Sequence, residues 1–92
     1  MVKHIIFWTL KNPEKKADAA ALLSPKFKAL MGVVDGLSEI EIGCPDGDQL
    51  VLYSVFTSWE ALAGYQNHPA HLAIKEVVHS LVCARQCCDY EI

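Results

Sequence analysis

The segment from Val2 to Leu10 limits how this chain can fold more than any other, because it is apolar on both faces of a predicted strand. Alternate side chains of a strand point to opposite sides of its sheet. One face would carry Val2, His4, Ile6, Trp8 and Leu10, and the other Ile5 and Phe7. A strand buried on both faces lies inside a sheet that is covered on both sides. We therefore expect helices on one side and a second subunit on the other.

The rest of the chain is predicted to form two helical regions, the second in two pieces, and three more strands. Asn12 and Pro13 are typical of a helix start, and the run Thr57-Ser58-Trp59-Glu60 forms a capping box with Thr57 as the cap. The predicted elements are helix 13–34, strands 37–44 and 49–56, a short helix ending near Gln66, a helix from Pro69 to about Leu81, and strand 82–92.

The order β-α-β-β-α-β within 92 residues predicts one α+β domain, residues 1–92, of the ferredoxin-like type. Its four-stranded antiparallel sheet would carry its helices on one face. The uncovered face would expose a set of apolar side chains: Ile5, Phe7, Val51, Tyr53 and Val55. An apolar face of this size predicts a partner, and two such sheets face to face form a dimeric α/β barrel. The expected partner is a second copy of the chain.

Charge and cysteine patterns exclude several other classes of protein. The net charge is −3 and the basic residues do not cluster, which disfavours binding to nucleic acid or to an anionic membrane surface. No apolar run approaches the ~20 residues that span a bilayer, so we expect a cytoplasmic protein. The cysteines Cys44, Cys83, Cys87 and Cys88 lack metal-site spacing, and no carboxylate is expected beside the histidines. We expect plain thiols, no metal and no cofactor.

A histidine and tyrosine cluster is the best candidate for chemistry. Tyr65, His68 and His71 fall within seven residues at a helix junction, and His4 shares its strand face with Ile6 and Trp8. If that face is covered by the helices, these groups converge on one pocket. Imidazole can exchange protons near neutral pH, and a tyrosine hydroxyl can donate to a developing enolate or phenolate.

Each of these residues also has a purely structural explanation. His68, placed before Pro69, can cap the following helix. His71 and His4 can be buried histidines with satisfied hydrogen bonds, and Trp8 can be a packing residue. The sequence leaves both explanations open.

The start Val2-Lys3-His4-Ile5, the run Tyr53 to Leu62, and the motif Tyr65-Gln66-Asn67-His68-Pro69-Ala70-His71 resemble the stress-responsive A/B barrel (Dabb) domain over essentially the whole chain. The resemblance implies a dimeric α+β barrel. The family includes plant stress-associated proteins and a plant polyketide cyclase, in which matching positions line the pocket where an intramolecular aldol closure occurs.

When residue roles are transferred through the matching motif, the resemblance implies that His71 is the general base and that Tyr65 polarises a carbonyl. It also implies that His4 and His68 are pocket residues. Trp8 is bulkier than the cyclase pattern, and Leu50 replaces an expected polar pocket residue. Two hypotheses follow. One is a non-catalytic binding or stress-associated barrel whose ligand is a small apolar or aromatic molecule, and the other is a cofactor-independent lyase or cyclase-like enzyme.

Overall fold

The computed structural model describes all 92 residues and contains one antiparallel sheet covered by three helices. The elements are β1 Val2–Leu10, α1 Lys16–Lys28, β2 Leu37–Gly43, β3 Gln49–Phe56, α2 Trp59–Gln66, α3 Pro69–Leu81 and β4 Val82–Glu91. The strand order is β2-β3-β1-β4, and each neighbouring pair is antiparallel. The predicted ferredoxin-like α+β fold is confirmed. None of the helices is long and apolar enough to cross a membrane.

The core lies between the sheet and the helices, as the alternation in β1 predicts. Ile6, Trp8 and the other members of that face are buried, and Leu52 and Phe56 of β3 join them. From the helices, α1 contributes Phe27, whose ring lies 5.6 Å from that of Trp8. Burying a large apolar side chain stabilises the fold by about 1.5–3 kcal/mol. This layer therefore holds the helices against one face of the sheet.

The first helix is shorter than the sequence predicts. A 3-10 turn at Pro13–Lys15 precedes α1, no Asn12 side chain caps it, and α1 ends at Lys28 instead of near Val34. Beyond that point the backbone forms turns with hydrogen bonds between residues three apart, and it passes through Gly32, whose φ is +81°. Val34 still reaches the core, which is why its apolar spacing imitates a continuing helix.

The cap of α2 is one residue later than predicted. Ser58 Oγ accepts the backbone N–H of Ala61 at 3.1 Å, so Ser58 is the cap and the assignment of Thr57 is wrong. Thr57 instead donates its backbone N–H to the carbonyl of Gly36 at 2.8 Å. Thr57 therefore fastens the end of β3 to the loop before β2.

Four of the five apolar residues predicted on the uncovered sheet face are at least partly exposed there. Phe7 is 39% exposed, and Ile5, Val51 and Tyr53 are half-buried. Val55 is 4% exposed within a single chain, so it does not belong to a bare patch. It is paired with Lys3 on β1 and with Glu39 on β2, whose long side chains share its face.

Candidate functional site

A cavity of about 440 Å³ lies between the sheet and the helices, within the volume range of small-molecule sites. It is lined by five of the six residues that the sequence analysis proposed: His4, Ile6, Trp8, Tyr65 and His71. The side chain of Trp8 is buried and does not close the cavity. Leu50 is fully buried and is not among the lining residues.

Tyr65 and His71 form the polar centre of the cavity. Tyr65 is the last buried residue of α2, and His71 belongs to the first turns of α3. The two helices meet at a tight junction, which stacks the rings with centroids 4.1 Å apart and planes inclined by 31°. The hydroxyl of Tyr65 and Nδ1 of His71 are both buried and have no hydrogen-bond partner. Such unpaired buried groups are uncommon, because each costs about 1–3 kcal/mol.

Burial sets the protonation of this pair. It raises the pKa of the Tyr65 hydroxyl far above its usual range, and the nearby Arg85 offsets only part of that effect. Burial also lowers the pKa of His71, the nearby backbone of Gln66 offsets part of that effect, and the positive charge of Lys75 adds to the lowering. At neutral pH the pair therefore combines a protonated hydroxyl that can donate with a neutral imidazole that can accept a proton.

The lowered pKa of His71 predicts a specific acid sensitivity. Below about pH 6.5 the unfolded chain binds a proton at this histidine more readily than the folded protein does. The stability that the folded protein gains from keeping His71 neutral is fully present above that pH. It is lost as the pH falls toward the lower pKa of the folded state. Between about pH 7 and pH 5, the free energy of unfolding should therefore fall more steeply for wild type than for His71→Gln in urea titrations. Equal slopes would contradict this.

His4 is held in a defined orientation. The residue is 2% exposed, and its backbone carbonyl accepts a hydrogen bond from the hydroxyl of Ser54 at 3.0 Å. Nδ1 contacts Asp89 Oδ1 at 2.5 Å and Cys87 Sγ at 3.8 Å. Because an ionised carboxylate only accepts hydrogen bonds, Nδ1 of His4 donates to Asp89. His4 lies edge-on to Tyr65, with centroids 5.9 Å apart.

The contact between His4 and Asp89 corrects one expectation from the sequence. No carboxylate was expected beside the histidines, because Asp89 is 85 residues away along the chain. The antiparallel pairing of β1 with β4 places Asp89 directly opposite His4. A contact of this kind depends on strand register, which the local sequence does not reveal.

His68 has the structural role that the sequence analysis gave as its alternative. Its Nδ1 accepts the backbone N–H of Ala70 at 3.1 Å and so caps α3, which begins at Pro69. His68 is not among the residues that line the cavity. The cap fixes the start of α3 and thereby the position of His71.

Several residues that line the cavity are not predicted from the sequence. The most important are the cations Lys75 and Arg85, which favour a ligand with a partial or full negative charge. Lys75 lies four residues after His71 on α3, so helical spacing alone could have identified it. Arg85 reaches the cavity because β4 pairs it with Trp8, and His79 of α3 also lines the cavity despite its exposure.

The sequence matches the stress responsive A/B barrel domain family over residues 2–92, and the chain belongs to this family. No curated protein matches it. A dimeric ferredoxin-like protein of unknown function from Bacteroides fragilis is 28% identical, with a TM-score of 0.86 over 99% of this chain and 95% of that chain.

Two further structures share the fold at lower identity. A protein from Arabidopsis thaliana is 22% identical, with a TM-score of 0.78 over 100% of this chain and 95% of that chain. A Streptomyces coelicolor monooxygenase in complex with nanaomycin D is 14% identical, with a TM-score of 0.81 over 99% of this chain and 86% of that chain. At these identities the likeness concerns the fold.

Proposed function

We propose that the cavity binds a small aromatic or apolar molecule bearing a carbonyl or phenolic oxygen, and that Tyr65 and His71 carry out proton transfer on it. The observation that carries the proposal is that two stacked rings beside a cavity each hold a buried polar atom without a partner, Tyr65 Oη and His71 Nδ1. A ligand oxygen and an acidic C–H or O–H would supply both missing partners.

The lining suits such a ligand. Ile6 and Trp8 of the sheet and Phe27 of α1 provide apolar and aromatic contact area. Lys75 and Arg85 stabilise negative charge that develops on the ligand. A monooxygenase of the same fold was crystallised with nanaomycin D, which supports this choice of ligand class by analogy.

The proposed reaction needs no group beyond these side chains. His71 removes a proton from a carbon next to a carbonyl, and the Tyr65 hydroxyl donates a hydrogen bond to the resulting enolate oxygen. The enolate then takes the proton back from His71, or it attacks a second carbonyl of the same molecule, whose oxygen takes that proton as the carbon–carbon bond forms. The second step would make the protein a cyclase-like or lyase-like enzyme. Binding without turnover would make it the non-catalytic barrel instead.

Benzoylacetone is a suitable probe, because it joins an aromatic ring to an acidic C–H between two carbonyls. NMR in D₂O would follow deuterium entering that carbon above the buffer background. We expect saturable acceleration with wild type and a loss of about 10²–10³-fold with Tyr65→Phe, as when an oxyanion donor is removed. Tyr90→Phe, an exposed tyrosine outside the cavity, is the control. Saturable binding without acceleration would identify a binding protein, whereas equal rates in the two variants would contradict the proposal.

We also propose that the protein forms a homodimer through the uncovered sheet face. Its residues Ile5, Phe7, Val51 and Tyr53 remain partly exposed in the single chain. Two structural neighbours, from Bacteroides fragilis and Jannaschia, are described as dimeric. A stable interface would bury about 1,200–2,000 Å² in total.

Phe7→Asp should convert the dimer to a monomer, because it places a charge at the centre of the proposed interface. Light scattering coupled to size exclusion would measure the mass. Met31→Asp is a matched control, since Met31 is 43% exposed, similar to Phe7 at 39%, but lies in the loop after α1. A monomeric wild type at micromolar concentration, or a dimeric Phe7→Asp variant, would contradict the proposed interface.

A further inference from the structure

Three side chains of different chemistry converge where β4 runs beside β1. Nδ1 of His4, Sγ of Cys87 and Oδ1 of Asp89 all lie within 4.8 Å of one another. Cys87 and Asp89 are two residues apart on β4 and therefore share a face, and His4 pairs directly with Asp89. We propose that these three atoms bind a zinc ion at the edge of the cavity.

The distances between the donor atoms fit a tetrahedral ion. Zinc bonds of about 2.3 Å to sulfur and about 2.0 Å to nitrogen or oxygen place sulfur about 3.5 Å from the other two ligands. Cys87 Sγ lies 3.8 Å from His4 Nδ1 and 3.5 Å from Asp89 Oδ1. Only the contact between His4 and Asp89, now a 2.5 Å hydrogen bond, must lengthen, to about 3.3 Å.

The donor set selects the type of metal. A thiolate and an imidazole favour zinc over the oxygen-binding ions calcium and magnesium. Three protein ligands leave the fourth position to water or to a ligand atom, as in catalytic zinc sites. The site would also tie β4, whose residues after Val82 are all exposed, to the central strand β1.

The strands hold the ligands ready for the ion. His4 is 2% exposed and its backbone is held by β1 and by Ser54, so the buried ring has little room to turn. Cys87 is exposed and provides the route of entry. When zinc binds, the Cys87 thiol loses its proton to solvent, and Nδ1 of His4 exchanges its hydrogen bond to Asp89 for a bond to the metal. The metal-bound ring carries its one proton on Nε2.

Cobalt is the probe of choice, because a thiolate ligand produces a charge-transfer band that oxygen and nitrogen ligands do not. The full chain, kept reduced, would be titrated with Co²⁺ followed by absorbance, and with Zn²⁺ followed by calorimetry. We expect one ion per chain and the thiolate band in wild type. Cys87→Ser should lose the band and weaken zinc binding by more than about tenfold.

Cys88→Ser is the matched control. Cys88 is the next residue on the same exposed strand but points to the opposite face of the sheet, so this variant should keep both the band and the affinity. Asp89→Asn provides a second test, because an amide can still accept from His4 but is a poorer zinc ligand. Circular dichroism would confirm that each variant is folded.

Three results would overturn the zinc site: no binding to wild type, an unchanged band in Cys87→Ser, or an equal loss in Cys88→Ser. These titrations use no organic ligand. They therefore succeed or fail independently of the proposed proton transfer by Tyr65 and His71.

Discussion

Gly36→Ala should lower the melting temperature by more than about 10 °C. Gly36 has a φ of +82°, a conformation that costs other residues about 1–2 kcal/mol. An added Cβ would also lie 2.4 Å from Cβ of Ala61 and 2.8 Å from Oγ1 of Thr57. Overpacking of this kind costs about 1–3 kcal/mol. In a domain of this size, each kcal/mol shifts the melting temperature by about 4–8 °C.

Gly32→Ala separates the cost of the backbone conformation from the cost of the close contacts. Gly32 has nearly the same φ, +81°, but nothing lies within 4 Å of the added Cβ. The loss of stability in Gly32→Ala should therefore reflect the backbone conformation alone. It should be clearly smaller than the loss in Gly36→Ala. Thermal unfolding followed by circular dichroism would measure both variants. Equal losses would show that the loop carrying Gly36 does not pack against α2 as the structure describes.

His71→Gln should reduce the proton-transfer rate on benzoylacetone by about 10²–10⁴-fold, the usual contribution of a general base. Glutamine is similar in size but cannot take a proton. Because Nδ1 of His71 has no hydrogen-bond partner, replacing the ring breaks no bond made by that atom. The melting temperature at neutral pH should therefore change by only a few degrees.

The control for this variant is Glu76→Gln, an exposed residue of α3 that does not line the cavity. It should retain the wild-type rate. A rate unchanged in His71→Gln would remove this histidine from the mechanism. A fall of many degrees in its melting temperature would instead indicate that His71 is chiefly structural.

Local sequence patterns predicted the parts of the site that lie on one element. The alternation of β1 correctly placed His4, Ile6 and Trp8 on the helix-covered face, because strand geometry alone determines this. The junction between α2 and α3 similarly brought Tyr65 and His71 together, since only five residues separate them.

The contributions of β4 could not be predicted in the same way. Arg85, Cys87 and Asp89 reach the site only through the register between β1 and β4, which shifts at Thr9 and Leu10. A one-residue slip would turn all three to the other face, and neither strand contains a turn that sets the register. Their roles therefore depend on pairing between distant segments.

Two smaller errors of prediction also arise from contacts between distant segments. Ser58 and Thr57 are both acceptable caps by sequence, and Thr57 is instead occupied by a backbone hydrogen bond to the distant Gly36. Val55 has the apolar character of an interface residue but is covered within its own chain. In each case a contact across the fold decides between locally equivalent options.

The Tyr65 hydroxyl has no partner in the free protein, and we propose that its partner is a ligand oxygen. The most direct test is the melting temperature of Tyr65→Phe without ligand, with Tyr90→Phe as the control. Removing an unpaired buried hydroxyl relieves about 1–3 kcal/mol, so we expect Tyr65→Phe to melt several degrees above wild type and Tyr90→Phe to be unchanged. A lower melting temperature for Tyr65→Phe would show that the hydroxyl already has a partner within the fold, and would contradict the claim.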